Sequence, residues 1–270
     1  MKRVFITGAS SGIGEALARH YAAQGAMLGL VARRADMLQQ LKASLPGAER
    51  HRVYALDVTD HAALAAAAAD FIQACNGVDI VIANAGISQG TLTEYMEDLA
   101  VFERIMEINV LATVATFAPF VETLKRQAAA GDRGGRLVGI GSVSGIRGLP
   151  GAGAYSASKA AVISYCESLR VELRRSGVKV VTVAPGYIDT PMTQSNAYPM
   201  PFLMPVEKFA QRAAATIDAG VSYRVIPWQA GMIAKTLRLM PNWLYDFLFS
   251  HAPHKARKTQ APVERNTESV

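Results

Sequence analysis

At 270 residues the chain has room for one large α/β domain or for two domains of about 150 residues each. Half of the residues are apolar and only 19% are charged, which excludes a disordered or solvating chain, since such a chain cannot bury enough apolar surface to offset its ordering entropy. The formal charge of +6 leaves nucleic acid and anionic membrane as partner classes to weigh against the residue pattern.

The opening Met-Lys-Arg-Val-Phe-Ile-Thr runs straight into a glycine-rich turn, without the apolar run and cleavage site of a secretory signal. No uninterrupted apolar stretch reaches the roughly 18 residues of a membrane span, so a cytoplasmic protein is expected. Strand candidates fall at residues 4–7, 27–32, 52–56, 78–83, 136–140 and 178–184. Helical composition separates them at residues 13–23, 35–45, 62–74, 99–129 and 154–175. Near-continuous apolar strands alternating with helices predict a doubly wound, mainly parallel α/β sheet covered on both faces. No linker divides the chain, so residues 1–252 are expected to form a single Rossmann-type domain. After Pro185, prolines punctuate a Met- and aromatic-rich stretch, which predicts a loop, short helices and one more strand at 223–226. A polar, flexible tail is expected over 253–270.

Cys75 and Cys166 are far apart and imply no disulfide framework; they read as buried thiols. The five histidines show no ligand spacing, so no metal site is predicted. Basic residues are not interleaved with aromatics in any cluster, which argues against nucleic acid.

The first turn reads Thr7-Gly8-Ala9-Ser10-Ser11-Gly12-Ile13-Gly14 between a strand and a helix. Glycines there let the backbone turn tightly and approach a pyrophosphate at the helix N-terminus. The spacing is G-x-x-x-G-x-G, whereas the usual dinucleotide fingerprint is G-x-G-x-x-G. At the end of the second strand, where an NAD site would place an acid on the ribose, the chain has Arg33 and Arg34. A guanidinium fork matches a 2′-phosphate, so the expected cofactor is NADP(H), with Arg33 the main contact and Arg34 the second. Two solvated arginines starting a helix are the plain alternative.

The glycine turn, Asn84-Ala85-Gly86, Asn109, Ser142, Tyr155-x-x-x-Lys159 and Pro185-Gly186 together resemble the classical short-chain dehydrogenase/reductase family, from about residue 3 to 190. The resemblance implies a catalytic set of Asn109, Ser142, Tyr155 and Lys159. Tyr155 and Lys159 lie one helical turn apart and share a face. A phenol of ordinary pKa about 10 is a poor acid–base group at neutral pH, and a nearby ammonium is expected to lower it. Tyr155 would then give a proton to a carbonyl oxygen, or take one from an alcohol. Ser142, at the end of the fifth strand, would hold the substrate oxygen.

By resemblance, Lys159 also meets the nicotinamide ribose and Asn109 holds a relay water. Asp57 and Val58 flank the adenine, Asn84 and Gly86 line the cofactor site, and Ile188 and Thr190 meet the nicotinamide amide. The family also implies a homodimer through the helices at 99–129 and 154–175.

By resemblance, residues 187–209 fold over the substrate as a lid, the plain alternative being a segment that packs on its own domain. Met192, Met200, Phe202, Leu203 and Met204 there suit a lipophilic carbonyl or alcohol of long-chain or steroid-like build. The ending departs from the family's common tetramer-forming one. Residues 243–249 are almost wholly apolar and need cover from their own domain, a second subunit or a membrane surface. Lys235, Arg238, Lys255, Arg257 and Lys258 would suit anionic headgroups at the inner face of a membrane. The expected activity is NADP(H)-dependent hydride transfer, mainly as ketone reduction. The rival reading is a non-catalytic NADP-binding sensor or membrane-attached scaffold.

Overall fold

The computed structural model describes residues 1–131, 134–194, 196, 198–250, 255 and 257. β1 (Arg3–Thr7) passes through the glycine turn into α1 (Gly12–Ala23), followed by β2 (Met27–Ala32), α2 (Ala35–Ser44) and β3 (Arg52–Ala55). α3 (His61–Cys75) leads to β4 (Ile80–Ala83). α4 (Asp98–Met106) continues through a π-helical segment, Glu107–Leu111, into α5 (Ala112–Ala129). β5 (Arg136–Ile140), α6 (Gly153–Glu172) and β6 (Lys179–Pro185) complete the regular alternation. β7 (Ile188–Asp189), α7 (Pro191–Gln194), β8 (Met204–Pro205), α8 (Val206–Ala219), β9 (Tyr223–Ile226), α9 (Trp228–Leu239) and α10 (Asn242–Phe249) follow.

Seven of these strands make one parallel sheet in the order β3-β2-β1-β4-β5-β6-β9. The expected doubly wound sheet is therefore present, and its chemistry explains the apolar composition. Strands covered on both faces bury every side chain, as β4 does, while edge strand β3 leaves Arg52 and Ala55 exposed. Alternation along β1 divides the core. Val4 and Ile6 face α1, α2 and α8, whereas Phe5 packs against Phe71 of α3 and Phe120 of α5, with ring centroids 5.5 and 4.8 Å apart. A Cβ on Gly29 of β2 would fall 2.7 Å from the Phe5 ring and 2.8 Å from Phe71, so glycine there leaves room for the aromatic layer. Each such ring contributes about 1.5–3 kcal/mol through burial. Cys75 and Cys166 are buried free thiols.

Residues 99–129 are helical as expected, running through a π segment at Glu107–Leu111; beside it the carbonyls of Asn109 and Ala112 accept from the Thr113 and Thr116 hydroxyls at 2.8 and 2.6 Å. Residues 98–129 are long and apolar enough to cross a membrane, but Phe117, Phe120 and Leu124 are buried in the sheet's core. The segment expected as the lid, residues 187–209, carries regular structure at both ends. Ile188–Asp189 pairs with Met204–Pro205, Met204 is buried, and Phe209 belongs to the core face of α8. That helix was hidden by its charges and by Pro205. The proline precedes its first turn, and Gly220 at φ +66° ends it in the left-handed region. Buried Phe209, Ala210, Ala213, Ala214 and Ile217 lie on one stripe of α8.

The flexible tail expected at 253–270 lies outside the described residues except for Lys255 and Arg257. These two do not present themselves to lipid. Arg257 bonds Asp98 at 2.7 and 3.1 Å and Glu97 at 3.0 Å and lies 3.5 Å over the Tyr95 ring, while Lys255 donates to the Ser88 hydroxyl at 2.9 Å.

Candidate active site

Strand ends in an open parallel sheet leave backbone groups unpaired and loops diverging, so a crevice forms there. Here it is a cleft of about 290 Å³ at the carboxyl edge. Gly8, Ser10, Ser11, Gly12 and Ile13 form one wall, with Arg33, Arg34, Asp57 and Val58 beyond them. Asn84, Gly86, Ser142, Tyr155 and Lys159 form the far wall, and Pro185, Gly186, Ile188 and Thr190 the rim. Gly14 and Asn109 stand just behind this lining and shape it from there.

The glycine turn works by close approach. Gly8 and Gly12 have φ of +68° and +57°. A Cβ on Gly14 would fall 2.2 Å from the Gly8 carbonyl oxygen and 2.6 Å from Asn84 Nδ2. Ser11 caps α1 in extended conformation without a side-chain bond, leaving the first-turn N–H groups to the cleft. This is a cradle for an anion at a helix N-terminus, and it fits the pyrophosphate of a dinucleotide.

The two arginines differ in their partners. Arg34 is tied to the turn, donating to Ser10 and Ser11 hydroxyls at 3.0 and 3.1 Å. Arg33 is 65% exposed and meets Asp57 at 3.8 Å. Asp57 has further partners: Arg104 at 3.1 Å, and the N–H and hydroxyl of Thr59 at 3.1 and 3.0 Å. Burial pushes its carboxyl pKa up, but the Thr59 bonds and the two guanidiniums outweigh that and hold it below the usual value. Val58 is buried.

Asn84 joins the two central strand ends. Its Nδ2 donates to the carbonyls of Thr7 and Gly8 at 3.0 and 3.2 Å. Thr7 completes the latch and was missed in the sequence: its hydroxyl oxygen accepts from the N–H groups of Asn84 and Ala85 at 3.1 and 3.2 Å. A threonine ending an apolar strand carries no mark of that task.

Ser142, at the end of β5, is buried, and it starts a short 3₁₀ turn in which its hydroxyl oxygen accepts from Ser144 N–H at 3.1 Å. Tyr155 and Lys159 lie in the first two turns of α6. Burial raises the Tyr155 phenol above its ordinary 10.0, opposed by a hydrogen bond with Ser142. The direction is therefore opposite to the lowering expected from Lys159: burial disfavours the phenolate, and the opposing influence is Ser142. The Lys159 ammonium lies 5.8 Å from the Tyr155 ring centroid and donates to the Ile140 carbonyl at 2.9 Å. Burial pulls its pKa down to about 8.

The Asn109 carboxamide is engaged in full ties. Its Oδ1 accepts from Ile87 N–H at 2.8 Å, and its Nδ2 donates to the Ile87 carbonyl at 3.0 Å and to the Ser158 hydroxyl at 2.9 Å. The π segment turns it toward these partners, so the side chain binds the loop after β4 to α6. A Cβ on Gly86 would sit 3.1 Å from Asn109 Oδ1 and 3.5 Å from Lys159 Nζ, so a larger side chain there would crowd this corner of the cleft. Ser158, also unforeseen, donates to the Tyr155 carbonyl at 2.8 Å while receiving from Asn109.

In the segment after β6, Tyr187 and Tyr198 meet edge to face at 6.3 Å, and Tyr198 is raised by burial first and then by the neighbouring Tyr187 and Tyr155. Met192, which lines the cleft, is exposed, as are Phe202 and Leu203.

Comparison with known proteins adds four findings. A family model described as short chain dehydrogenase matches residues 2–199. A protein of Myxococcus xanthus described as an uncharacterized oxidoreductase is 34% identical over 250 residues, covering 91% of this chain and 95% of that one. Among solved structures, a 3-ketoacyl-(acyl-carrier-protein) reductase from Brucella melitensis complexed with NADH has a TM-score of 0.76 at 26% identity, over 83% of this chain and 96% of that one. An alcohol dehydrogenase from Thermococcus sibiricus complexed with 5-hydroxy-NADP has 0.73 at 27% identity, over 84% and 96%.

Proposed function

The chain belongs to the short-chain dehydrogenase/reductase family, oxidoreductases acting on alcohol and carbonyl groups, and from that premise we propose that it is an NADP(H)-dependent reductase of apolar ketones. The observation that carries this reading is the convergence of Ser142, Tyr155 and Lys159 on the wall of the cleft facing the glycine cradle.

A bound nicotinamide dinucleotide supplies the hydride. The chain's residues supply everything else. First-turn N–H groups of α1 would receive the pyrophosphate beside Gly12, and Ile188 and Thr190 on the rim would meet the nicotinamide amide. Ser142 holds the substrate oxygen and stabilises its developing charge. Tyr155 delivers a proton to that oxygen, or removes it in the alcohol direction. A phenol kept protonated by burial suits the delivering role. Lys159, an ammonium at neutral pH, steadies the phenolate left behind.

The choice of NADP(H) is supported by two cations at the end of β2 and by the Arg34, Ser10 and Ser11 cluster, which presents a guanidinium and two hydroxyls to a 2′-phosphate. The Asp57 carboxylate weighs against it, but Arg33 and Arg104 neutralise that group. An apolar ketone is suited by Met192, which lines the cleft, and by exposed Phe202 and Leu203 in the segment that follows it. Residues 1–252 act as one domain, and exposed Leu99, Phe102, Leu111 and Val171 suit pairing of two copies across α4, the π segment and α6. A panel of ketones spanning chain lengths and ring systems, followed by NADPH absorbance, tests the reading. Turnover is expected for apolar members; no NADPH oxidation by any ketone and no NADP reduction by any alcohol would overturn it.

A further inference from the structure

The α9–α10 pair presents an outward face that is exposed among the described residues. Gly231 and Ala234 are the buried residues of α9, and Tyr245 that of α10. Tyr245 donates to the Gly148 carbonyl at 2.6 Å, and Arg147 lies 4.3 Å over its ring while bonding Asn242 at 3.1 Å. These contacts pin the pair from behind to the loop joining Ser142 to Tyr155.

The front is different. Trp228, Met232 and Leu239 are 62%, 59% and 85% exposed, at spacings of four and seven residues that fall within about 40° of one another around the helix. Trp243 and Phe247 are 72% and 77% exposed, four residues apart on α10. Exposed Lys235 and Arg238 lie on the same short helix as the first stripe. Between residues 219 and 250 the cations are Arg224, Lys235 and Arg238, and Asp246 is the one acid.

We infer that this face docks on an anionic lipid bilayer. Two indoles with apolar neighbours suit the headgroup boundary, where one end of the ring is dry and the other wet. The excess positive charge complements anionic headgroups, each basic residue near the surface adding to the attraction. The same excess opposes a second copy meeting this face with itself. The apolar residues suited to pairing copies lie instead on α4, the π segment and α6. Docking would set the cleft mouth one loop away from the lipid, so a membrane-dissolved ketone would reach Ser142 and Tyr155 from that side. This last consequence rests on the reductase reading.

Co-sedimentation of the full chain with vesicles of phosphatidylcholine alone, or of equimolar phosphatidylcholine and phosphatidylglycerol, tests the docking. The wild type is expected in the pellet with the anionic vesicles, less so with neutral ones or in high salt. The double variant Trp243→Asp/Phe247→Asp should partition on the order of 100-fold less, about tenfold for each large side chain. Lys235→Glu/Arg238→Glu should lose the preference for phosphatidylglycerol. Circular dichroism of each variant should match the wild type, and NADPH turnover of a water-soluble ketone should be unchanged, so failure of docking and failure of the reductase reading are seen separately. A wild type left in the supernatant with both vesicles overturns the proposal. So does a double variant that pellets like the wild type, or one that loses a larger oligomer by light scattering while the wild type ignores vesicles.

Discussion

Thr7→Val removes a hydroxyl while keeping the shape of the side chain. The Thr7 oxygen accepts two N–H groups, from Asn84 and Ala85, and gives its own proton to the Ile82 carbonyl at a long 3.4 Å. Valine leaves two donors without that acceptor. Each such loss costs about 1–3 kcal/mol when buried, and these two groups belong to partly buried residues, so the lower end applies. The expected loss is about 2 kcal/mol, or about 4–8 °C in Tm for a chain of this size. Urea unfolding at neutral pH measures it, with Thr7→Ser as the control that retains the acceptor. Because the latch holds Asn84 against Gly8, cofactor affinity should fall as well. A Thr7→Val protein within about 0.5 kcal/mol of the wild type would refute the latch, since ordinary surface changes fall in that range.

The remaining predictions concern the cleft. Arg33→Asp and Arg34→Ala should each lower the ratio of NADPH to NADH efficiency, on the order of tenfold, as one charge-assisted contact to a phosphate is lost; unchanged ratios would remove the specificity claim. Gly14→Ala should abolish cofactor binding, because its Cβ would fall 2.2 Å from the Gly8 oxygen, and fluorescence titration with NADPH at wild-type affinity would contradict this. With Lys159 held near 8 by burial, its charge disappears as pH rises through that value, so kcat/KM for reduction should decline there. A profile flat across pH 8 would show that its charge is not used.

Much of the architecture was legible because its causes are local. Short β-branched apolar runs such as Ile80–Ala83 suit strands buried on both faces, and their alternation with helical segments points to a parallel sheet. The glycine turn and the Tyr155/Lys159 pair were legible for the same reason: spacing along one helix fixes a shared face. Other features depend on partners distant in sequence. Thr7 matters through Asn84, and Asn109 through Ile87 and Ser158, contacts that no local pattern announces. The π turn arises within a helix of ordinary composition. α8 was masked because alanine contributes most of its apolar stripe, and Arg34 took the turn serines that the sequence order assigned to no residue. The direction of the Tyr155 shift turned on burial, which spacing does not reveal.

The central claim is that Tyr155 moves the proton in carbonyl reduction while the glycine cradle holds the cofactor independently of it. Single-turnover reduction of an apolar ketone by Tyr155→Phe, with NADPH affinity measured on the same preparation, tests both halves together. The account predicts a rate lower by about 10²–10⁴ with the NADPH Kd unchanged. A phenylalanine variant that reduces the ketone at the wild-type rate would contradict it.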